Sequence, residues 1–454
     1  MKTNSTQSRI KRPSNRGGQD DGNPSHSLAS ELIAVEDLAP SPRNARRHSK
    51  RQIEQLKASI EEYGFINPII VDEKNRVLAG HARLEAVKAT GMPLVPIIRI
   101  THLTETQKRG YRLADNKLAE GATWDFEIVA EELEALSAPG IDINIESIGF
   151  EKAEIDILIG KHVTPKINED EADFQPAIEP DRPIVARPGD LWYLDQHRLL
   201  CGDARKIDHY QHLLSGKFAD MVITDPPYNV KVDGFVCGLG SFSHDEFVMG
   251  SGEMVTSEFR HFLSTTTSNL VQATREGSIH FIFIDWRHID DLLAAGRPVY
   301  SELKAICVWN KSNGGMGSLY RSKHEFVAVF KNGTAPHINN IELGKHGRNR
   351  TTVWDCPGVN SFGEERDNLA IHPTVKPVKL IEDAILDCSD RNDRVLDAFC
   401  GSGTTLIAAE RVGRIGFGLE YDPKYVDAAL RRFRAITGIE PVRSSDGATF
   451  KSLE

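Results

Sequence analysis

The sequence predicts an α/β protein built on a mostly parallel, doubly wound sheet, with a smaller α+β unit ahead of it. Three observations carry this expectation. Met221-Val222-Ile223 is a short apolar run closed by Thr224-Asp225-Pro226-Pro227-Tyr228. Such a run reads as a buried parallel strand. The prolines stop it, because each fixes φ and lacks an N–H. Arg394 to Leu406 reads as strand, Gly-rich turn and helix, the turn being Phe399-Cys400-Gly401-Ser402-Gly403. Finally, 454 residues with an acidic, proline-containing stretch near 163–183 call for two or three domains.

Taken in order, residues 1–28 are rich in Ser, Asn, Gly and Gln and are expected to be a disordered tail. Residues 29–162 are expected to form the first domain. Leu32, Ile33 and Val35 suggest a strand; Ile53, Leu56 and Ile60 have helical spacing, and Gly64 stops that helix. Pro68 to Val71, Val77 to Ala79 and Val95 to Ile100 read as strands, with a helix opening at Gly80-His81-Ala82-Arg83. Gly80, His81 and Arg83 make a candidate anion site, since a helix start with an arginine one turn in suits a phosphate. A plain strand-to-helix turn is the alternative. Arg43, Arg46, Arg47, Lys50 and Arg51 form a basic run without an acid, suited to phosphate contact or to a solvated helix face.

Residues 163–183 carry Glu169, Asp170, Glu171, Asp173, Glu179 and Asp181 among four prolines and read as an extended spacer. The second domain is expected over 184–440, with strands at Leu191 to Leu194, Ile279 to Ile284, Ala305 to Val308, Phe326 to Phe330 and Ile415 to Leu419. Gly234 to Gly252 is read as a mobile loop. Residues 331–371 are polar and irregular, and Lys345, Arg348 and Arg350 make that segment the candidate for reading DNA, because arginine can bind base edges bidentately. Tyr425 to Phe433 is an amphipathic helix, and 441–454 is read as a frayed tail.

Composition narrows the function. The net charge of −10 rules out a global basic field, so nucleic acid contact needs local patches. The six cysteines include no C-x-x-C pair, which argues against disulfides and zinc. The longest apolar run is too short to span a membrane, and the cytoplasm is the expected location.

The chemistry lies at the two loops. A loop at the carboxyl end of a parallel strand is where open α/β sheets bind ligands. Asp225 and the Pro226 carbonyl can accept hydrogens from an exocyclic amino group, Pro227 stiffens the turn, and Tyr228 can stack on a planar base. Gly401 and Gly403 let backbone approach a ligand closely. Glu420, about 20 residues on at a strand end, is placed to bind ribose hydroxyls. Leu406 stands where a dinucleotide fingerprint wants a third small residue, which disfavours NAD and FAD.

Together these residues resemble the amino-methylating DNA methyltransferases that use S-adenosylmethionine. The catalytic motif precedes the cofactor loop, the permuted order of that family's β class. The resemblance covers about 180–435. It implies a Rossmann-like S-adenosylmethionine-dependent domain with Asp225, Pro226, Pro227 and Tyr228 as the catalytic motif. It implies cofactor contacts from Asp397, Phe399, Gly401, Gly403, Thr404, Thr405 and Glu420. It extends them to Asp203 in Leu199 to Ala204, and to His372, Thr374 and Lys376 in the segment before the loop. Aspartate at the first motif position tilts the resemblance toward N6 of adenine in double-stranded DNA; N4 of cytosine is the close alternative, and RNA guanine a weaker one. The expected partners are duplex DNA and a second copy of the chain, with no metal and no membrane. A stand-alone enzyme of phage or prophage type is expected.

The first domain resembles the ParB/sulfiredoxin-like nuclease fold through Asn44 to Arg47, Gly64 to Ile69, Gly80 to Arg83 and Leu113 to Lys117. No cysteine stands in the Gly80 segment, which argues against sulfiredoxin chemistry. Leu84-Glu85-Ala86 departs from the richer arginine motif of the partition proteins, which argues against CTP. The rival of another class is a ParB-like DNA-binding module with an inactive methylase appended.

Overall fold

The computed structural model describes residues 29–138, 140–162, 173, 182–230, 252–311, 314, 319–341, 344, 348–358 and 375–454. The expected tail, most of the expected spacer and loop, and Lys345, His372 and Thr374 lie outside the described residues. The chain divides into two compact units.

The first unit spans residues up to Thr123 together with Ser147–Gly149. Its elements are β1 (Ser30–Ala34), α1 (Lys50–Tyr63), β2 (Ile69–Asp72), β3 (Val77–Ala79), α2 (His81–Thr90), β4 (Leu94–Ile100) and α3 (Glu105–Ala119). The sheet order is β1-β4-β2-β3. Ser49 caps α1 and Gly64 ends it at φ 78°, a left-handed conformation that glycine adopts without a Cβ penalty. Ile69, Val71, Val77, Val95 and Ile97 of the strands and Leu84 and Val87 of α2 fill the core, whereas Leu32 of the edge strand β1 is exposed.

The second unit holds Trp124–Glu146 and Phe150–Glu454. It opens with α4 (Phe126–Leu136) and α5 (Lys152–His162). The sequence reading places these residues in the first domain. Their burial explains the difference: Asp156 of α5 bonds both terminal nitrogens of Arg414, at 2.9 and 2.6 Å, and Arg414 is 2% exposed. Asn392 also donates to the carbonyl of Ser137.

The strands that follow are β5 (Leu191–Leu194), β6 (His197–Cys201), β7 (Met221–Thr224), β8 (Ile279–Ile284), β9 (Glu302–Asn310), β10 (His324–Lys331), β11 (Val353–Asp355), β12 (Arg394–Asp397), β13 (Ile415–Glu420) and β14 (Val442–Arg443). They form a ten-stranded mixed sheet of order β11-β9-β10-β8-β7-β12-β13-β6-β5-β14. Strands β6, β13, β12, β7 and β8 run parallel. Helices α6 (Ile207–Leu214), α7 (Thr256–Ala273) and α8 (Ile289–Gly296) pack on one face through Tyr210, Phe259, Leu270 and Leu292. Helices α9 (Val378–Cys388), α10 (Thr404–Arg411) and α11 (Pro423–Thr437) cover the other through Ile381, Leu406 and Phe433. This is the three-layer, doubly wound arrangement that the sequence predicts.

The helices after β7 and β12 lie on opposite faces. A crevice must therefore open between these neighbouring strands at their carboxyl ends, which is the topological switch point.

The end of the chain differs from the frayed tail that composition suggests. After β14 comes α12 (Phe450–Leu453). Phe450 is fully buried, edge-on to Trp192 at 5.4 Å, and Glu454 pairs with Arg431 and Arg434 at 2.7 Å. One aromatic residue with a matching pocket outweighs the polar residues around it.

Candidate active site

The switch-point cleft is built from the two loops singled out in the sequence. It is lined by Asp225 to Tyr228, by Lys376, by Phe399 to Ser402, and by Glu420, Tyr421 and Tyr425, and encloses about 1210 Å³ with its open mouth. That is a size suited to a nucleoside-sized ligand with room beside it.

Asp397 ties the two loops together. Its carboxylate accepts from Thr224 Oγ1 at 2.7 Å, from Thr405 Oγ1 at 2.6 Å and from the Phe399 N–H at 3.0 Å. Thr224 Oγ1 in turn accepts from the Ala398 N–H at 3.1 Å. Burial pushes the Asp397 carboxyl up to about 6. With three donors already on it, Asp397 serves as the knot that sets the spacing between β7 and the Gly-rich turn. The sequence reading places it, with Thr405, among the groups that touch a ligand.

The Gly-rich turn follows β12. Gly401 and Gly403 have φ of 50° and 83°. A Cβ on Gly403 would lie 3.1 Å from the Cβ of Ala429 in α11, so both backbone conformation and close helix packing call for glycine. The Gly401 N–H donates to Glu420 Oε2 at 2.8 Å, and the Asp422 N–H donates to Oε1 at 2.9 Å. Burial pushes the Glu420 carboxyl up to about 7. Each carboxylate oxygen keeps a lone pair for a further donor. Arg432 of α11 braces the turn from behind, donating to Thr404 Oγ1 at 2.8 Å.

Asp225 carries two contacts. Its Oδ1 accepts from the Tyr228 hydroxyl, and its Oδ2 from the Lys376 ammonium. The phenol also lies 3.0 Å from Glu325 Oε2, and Lys376 lies 3.1 Å from the same carboxylate. Burial raises the Asp225 carboxyl, and Lys376 acts against it. The sequence reading sets Glu325 just before a strand in a structural role and reads Lys376 as a cofactor contact; the structure brings Lys376 to Asp225, and Glu325 to Lys376 and Tyr228.

Other expected residues lie elsewhere. Asp203 is bound by Arg205 at 2.9 and 2.8 Å, does not line the cleft, and is held below the usual carboxylate range because Arg205 outweighs the effect of burial. Arg348 donates to Asp387 Oδ1 at 2.5 Å, and Arg350 donates to Oδ2 at 3.1 Å while lying over Trp354. The structure thus places the two arginines read as DNA contacts against a buried carboxylate on α9. In the expected spacer, Asp173 accepts from the Val378 N–H at 2.8 Å, so at that residue the stretch docks on the start of α9.

In the first unit, Gly80 has φ 97°, and the Arg83 guanidinium folds back so that a Cβ on Gly80 would sit 3.0 Å from it. His81 Nε2 accepts from the Ser41 N–H at 3.3 Å. Arg43, Arg46, Arg47 and Lys50 are exposed, with Arg46 donating to Asn116 at 3.3 Å.

Comparison with known proteins decides the family. A DNA methylase model, that of the N6/N4 class, matches residues 219–431. Residues 219–431 of the second unit are an N6/N4-class DNA methylase domain. A ParB N-terminal domain model matches residues 19–117, and a ParB-methyltransferase HTH domain model matches 127–188, the segment that contains α4 and α5. The methylase is similar to the type II methyltransferase M2.MboI of Moraxella bovis, 26% identical over 51% of this chain and 86% of that protein. It is similar to the DNA adenine methyltransferase YhdJ of Escherichia coli, 28% identical over 47% of this chain and 75% of that protein. The first unit is similar to the ParB-like nuclease domain-containing protein YnaK of Escherichia coli, 41% identical over 16% of this chain and 86% of that protein.

S-adenosyl-L-methionine is the cofactor of this methylase class, and the cleft fits it. Glycine backbone in left-handed conformations leaves the floor free of Cβ atoms, and Glu420 offers open acceptors at a strand end. None of the described helices is long and apolar enough to cross a membrane.

Proposed function

We propose that the methylase transfers a methyl group to N6 of adenine in duplex DNA, the base being rotated out of the helix into the cleft. The observation that carries this reading is the single cleft lined by both Asp225 to Tyr228 and the Gly401 turn with Glu420. Bound S-adenosylmethionine supplies an electrophilic methyl group. Glu420 holds its ribose, and the Gly401 to Gly403 backbone cradles it. Asp225 and the Pro226 carbonyl accept the two hydrogens of the amino group, which draws the nitrogen lone pair out of conjugation with the ring and aims it at the methyl. Tyr228 stacks on the base, its ring fixed by the hydrogen bonds of its hydroxyl. Extrusion is required because the amino group cannot be approached inside the stack. Positioning and electrostatics then supply the catalysis.

Aspartate at the first motif position and the adenine activity named for YhdJ support adenine. N4 of cytosine presents the same amino group and is the alternative product. Phosphate contacts are assigned to Arg43, Arg46, Arg47, Lys50 and Arg51 of the first unit. On the methylase, Trp286 and Arg287 follow β8 at the same sheet edge as Asp225; Trp286 is 51% exposed, with the Arg287 guanidinium 4.8 Å over its ring. This pair suits a displaced base or a phosphate. Sequencing DNA from expressing cells for modified bases tests the reading: N6-methyladenine at one sequence context supports it, and unmodified DNA overturns it.

A further inference from the structure

Lys376 and Glu325 are buried charges for which methyl transfer as described has no use. Glu325 is the second residue of β10 and is 6% exposed; Lys376 stands two residues before α9 and is 5% exposed. The Lys376 ammonium touches Asp225 Oδ2 and Glu325 Oε2, and lies over the rings of Phe283, Tyr228 and Trp309 at 5.2, 5.5 and 5.8 Å. Lys311 closes the other oxygen of Glu325. The group therefore sums to zero charge: two carboxylates against two ammonium groups.

Resting on the methyltransferase reading above, we propose that Lys376 and Glu325 are positioning residues of the transfer step. Lys376 keeps Asp225 an ionised acceptor aimed at the amino group, and Glu325 holds Lys376 and the Tyr228 hydroxyl in register.

A carboxylate out of water stays ionised only if it is paired or hydrogen-bonded. Among the described residues, the charged or titratable groups facing Asp225 are Tyr228 on its own loop, Glu325 on β10, Lys376 before α9, Lys311 behind Glu325, and Asp397 on β12. Without Lys376, two carboxylates and a phenol would share the site, with Asp397 adding a third negative charge nearby. Even with Lys311 still paired to Glu325, one carboxyl would then hold its proton to higher pH, as in other close carboxylate pairs. Burial raises Glu325, yet Lys376 and Lys311 outweigh it and bring it down to about 2, so Glu325 remains the fixed anion that anchors Lys376. Both oxygens of Asp225 already accept one donor each, which fixes the carboxylate plane and leaves one lone pair per oxygen for the base.

In the reaction the amino nitrogen's lone pair forms the new N–C bond while the C–S electron pair stays with sulfur. One N–H proton leaves along its hydrogen bond to the Asp225 carboxylate and passes from there to water. A protonated Asp225 can do neither job: it accepts more weakly, and it has no place for the departing proton.

The test uses the full chain carrying Lys376→Met, Lys376→Arg, or Lys376→Met with Glu325→Gln. Three quantities are measured: kcat against pH from 5.5 to 9, S-adenosylmethionine affinity by calorimetry, and the melting temperature. Lys376→Met is expected to lower kcat at least tenfold at pH 7, with recovery toward pH 9 as the acid limb moves up by about one unit or more, and with cofactor affinity within about threefold of wild type. The double variant, with one carboxylate fewer, is expected to bring the acid limb back toward that of the wild type. Lys376→Arg is expected to retain the wild-type limb. A pH-independent loss together with lost cofactor affinity would overturn the proposal and make Lys376 a cofactor contact. An unshifted limb in Lys376→Met, or a double variant no better than the single one, would overturn it as well. If Lys376→Met does not fold, Lys376→Gln, polar and uncharged, is measured in its place, with the same upward shift of the acid limb expected and an unshifted limb overturning the proposal. A wild-type chain that transfers no methyl group would instead defeat the function reading itself.

Discussion

Glu420 makes cofactor binding sensitive to pH in a defined direction. Burial brings its carboxyl up to about 7, because the backbone N–H groups of Gly401 and Asp422 only partly offset the loss of water. The form that accepts ribose hydroxyls is the carboxylate, so affinity should fall as pH drops through 7. With that midpoint, the ionised fraction changes by roughly tenfold between pH 8 and pH 6, equivalent to about 1.4 kcal/mol of binding free energy. Glu420→Gln has no charge to lose, and it sets an amide N–H against one of the two backbone donors. Its affinity should be at least about tenfold weaker at pH 8 and flat with pH. Calorimetric titration of S-adenosylmethionine at pH 6, 7 and 8 reads both effects. Wild-type affinity that is flat, or that rises as pH falls, would refute the placement of Glu420 against the ribose.

Three further outcomes follow from the packing. Asp156→Ala leaves the Arg414 guanidinium buried without its carboxylate; breaking such a pair costs about 3–5 kcal/mol, and the low end applies because Arg414 keeps bonds to Ser389 and Val412. Urea denaturation showing less than about 1 kcal/mol of destabilisation would contradict the assignment of α5 to the methylase unit. Gly403→Val, at φ 83° against Ala429, should lower the melting temperature as well as cofactor affinity, and an unchanged melting temperature would show that α10 and α11 tolerate the side chain. A chain starting at Trp124 should methylate the same sites with weaker DNA binding, its log–log salt slope shallower by about 0.9 for each phosphate that the shortened chain no longer neutralises. An unchanged slope would remove the first unit from DNA binding, and a changed target sequence would make it a base reader.

The parts of the site that are legible in the sequence are those encoded locally. A β-branched run stopped by Pro226 and Pro227, and glycines between a strand and a helix, specify their own backbone, so β7, β12 and the turn after it fall where expected. The contacts of Lys376 with Asp225 and of Glu325 with Tyr228 span 151 and 97 residues of chain, and no local pattern marks a lysine or glutamate as buried. Trp309-Asn310-Lys311 and His324-Glu325 hold the one usable signal: charged residues flanking strands at the carboxyl edge of the sheet. The same limit explains Arg348 and Arg350. A basic cluster in a polar stretch reads as a nucleic acid contact, and nothing local announces that Asp383 and Asp387, on a helix some 35 residues later, pair with its two arginines. Chain proximity alone groups α4 and α5 with the preceding strands, whereas Asp156 and Arg414 decide the matter from 258 residues apart.

The central claim is that Asp225 directs methyl transfer to the amino group of adenine. Its most direct test is mass spectrometry of nucleosides from duplex DNA incubated with methyl-labelled S-adenosylmethionine and either the wild-type chain or Asp225→Ala. The expected result is labelled N6-methyldeoxyadenosine from the wild type and none from Asp225→Ala, with cofactor affinity of the variant close to normal. Labelled N4-methyldeoxycytidine would contradict the choice of base, and equal labelling by Asp225→Ala would contradict the site.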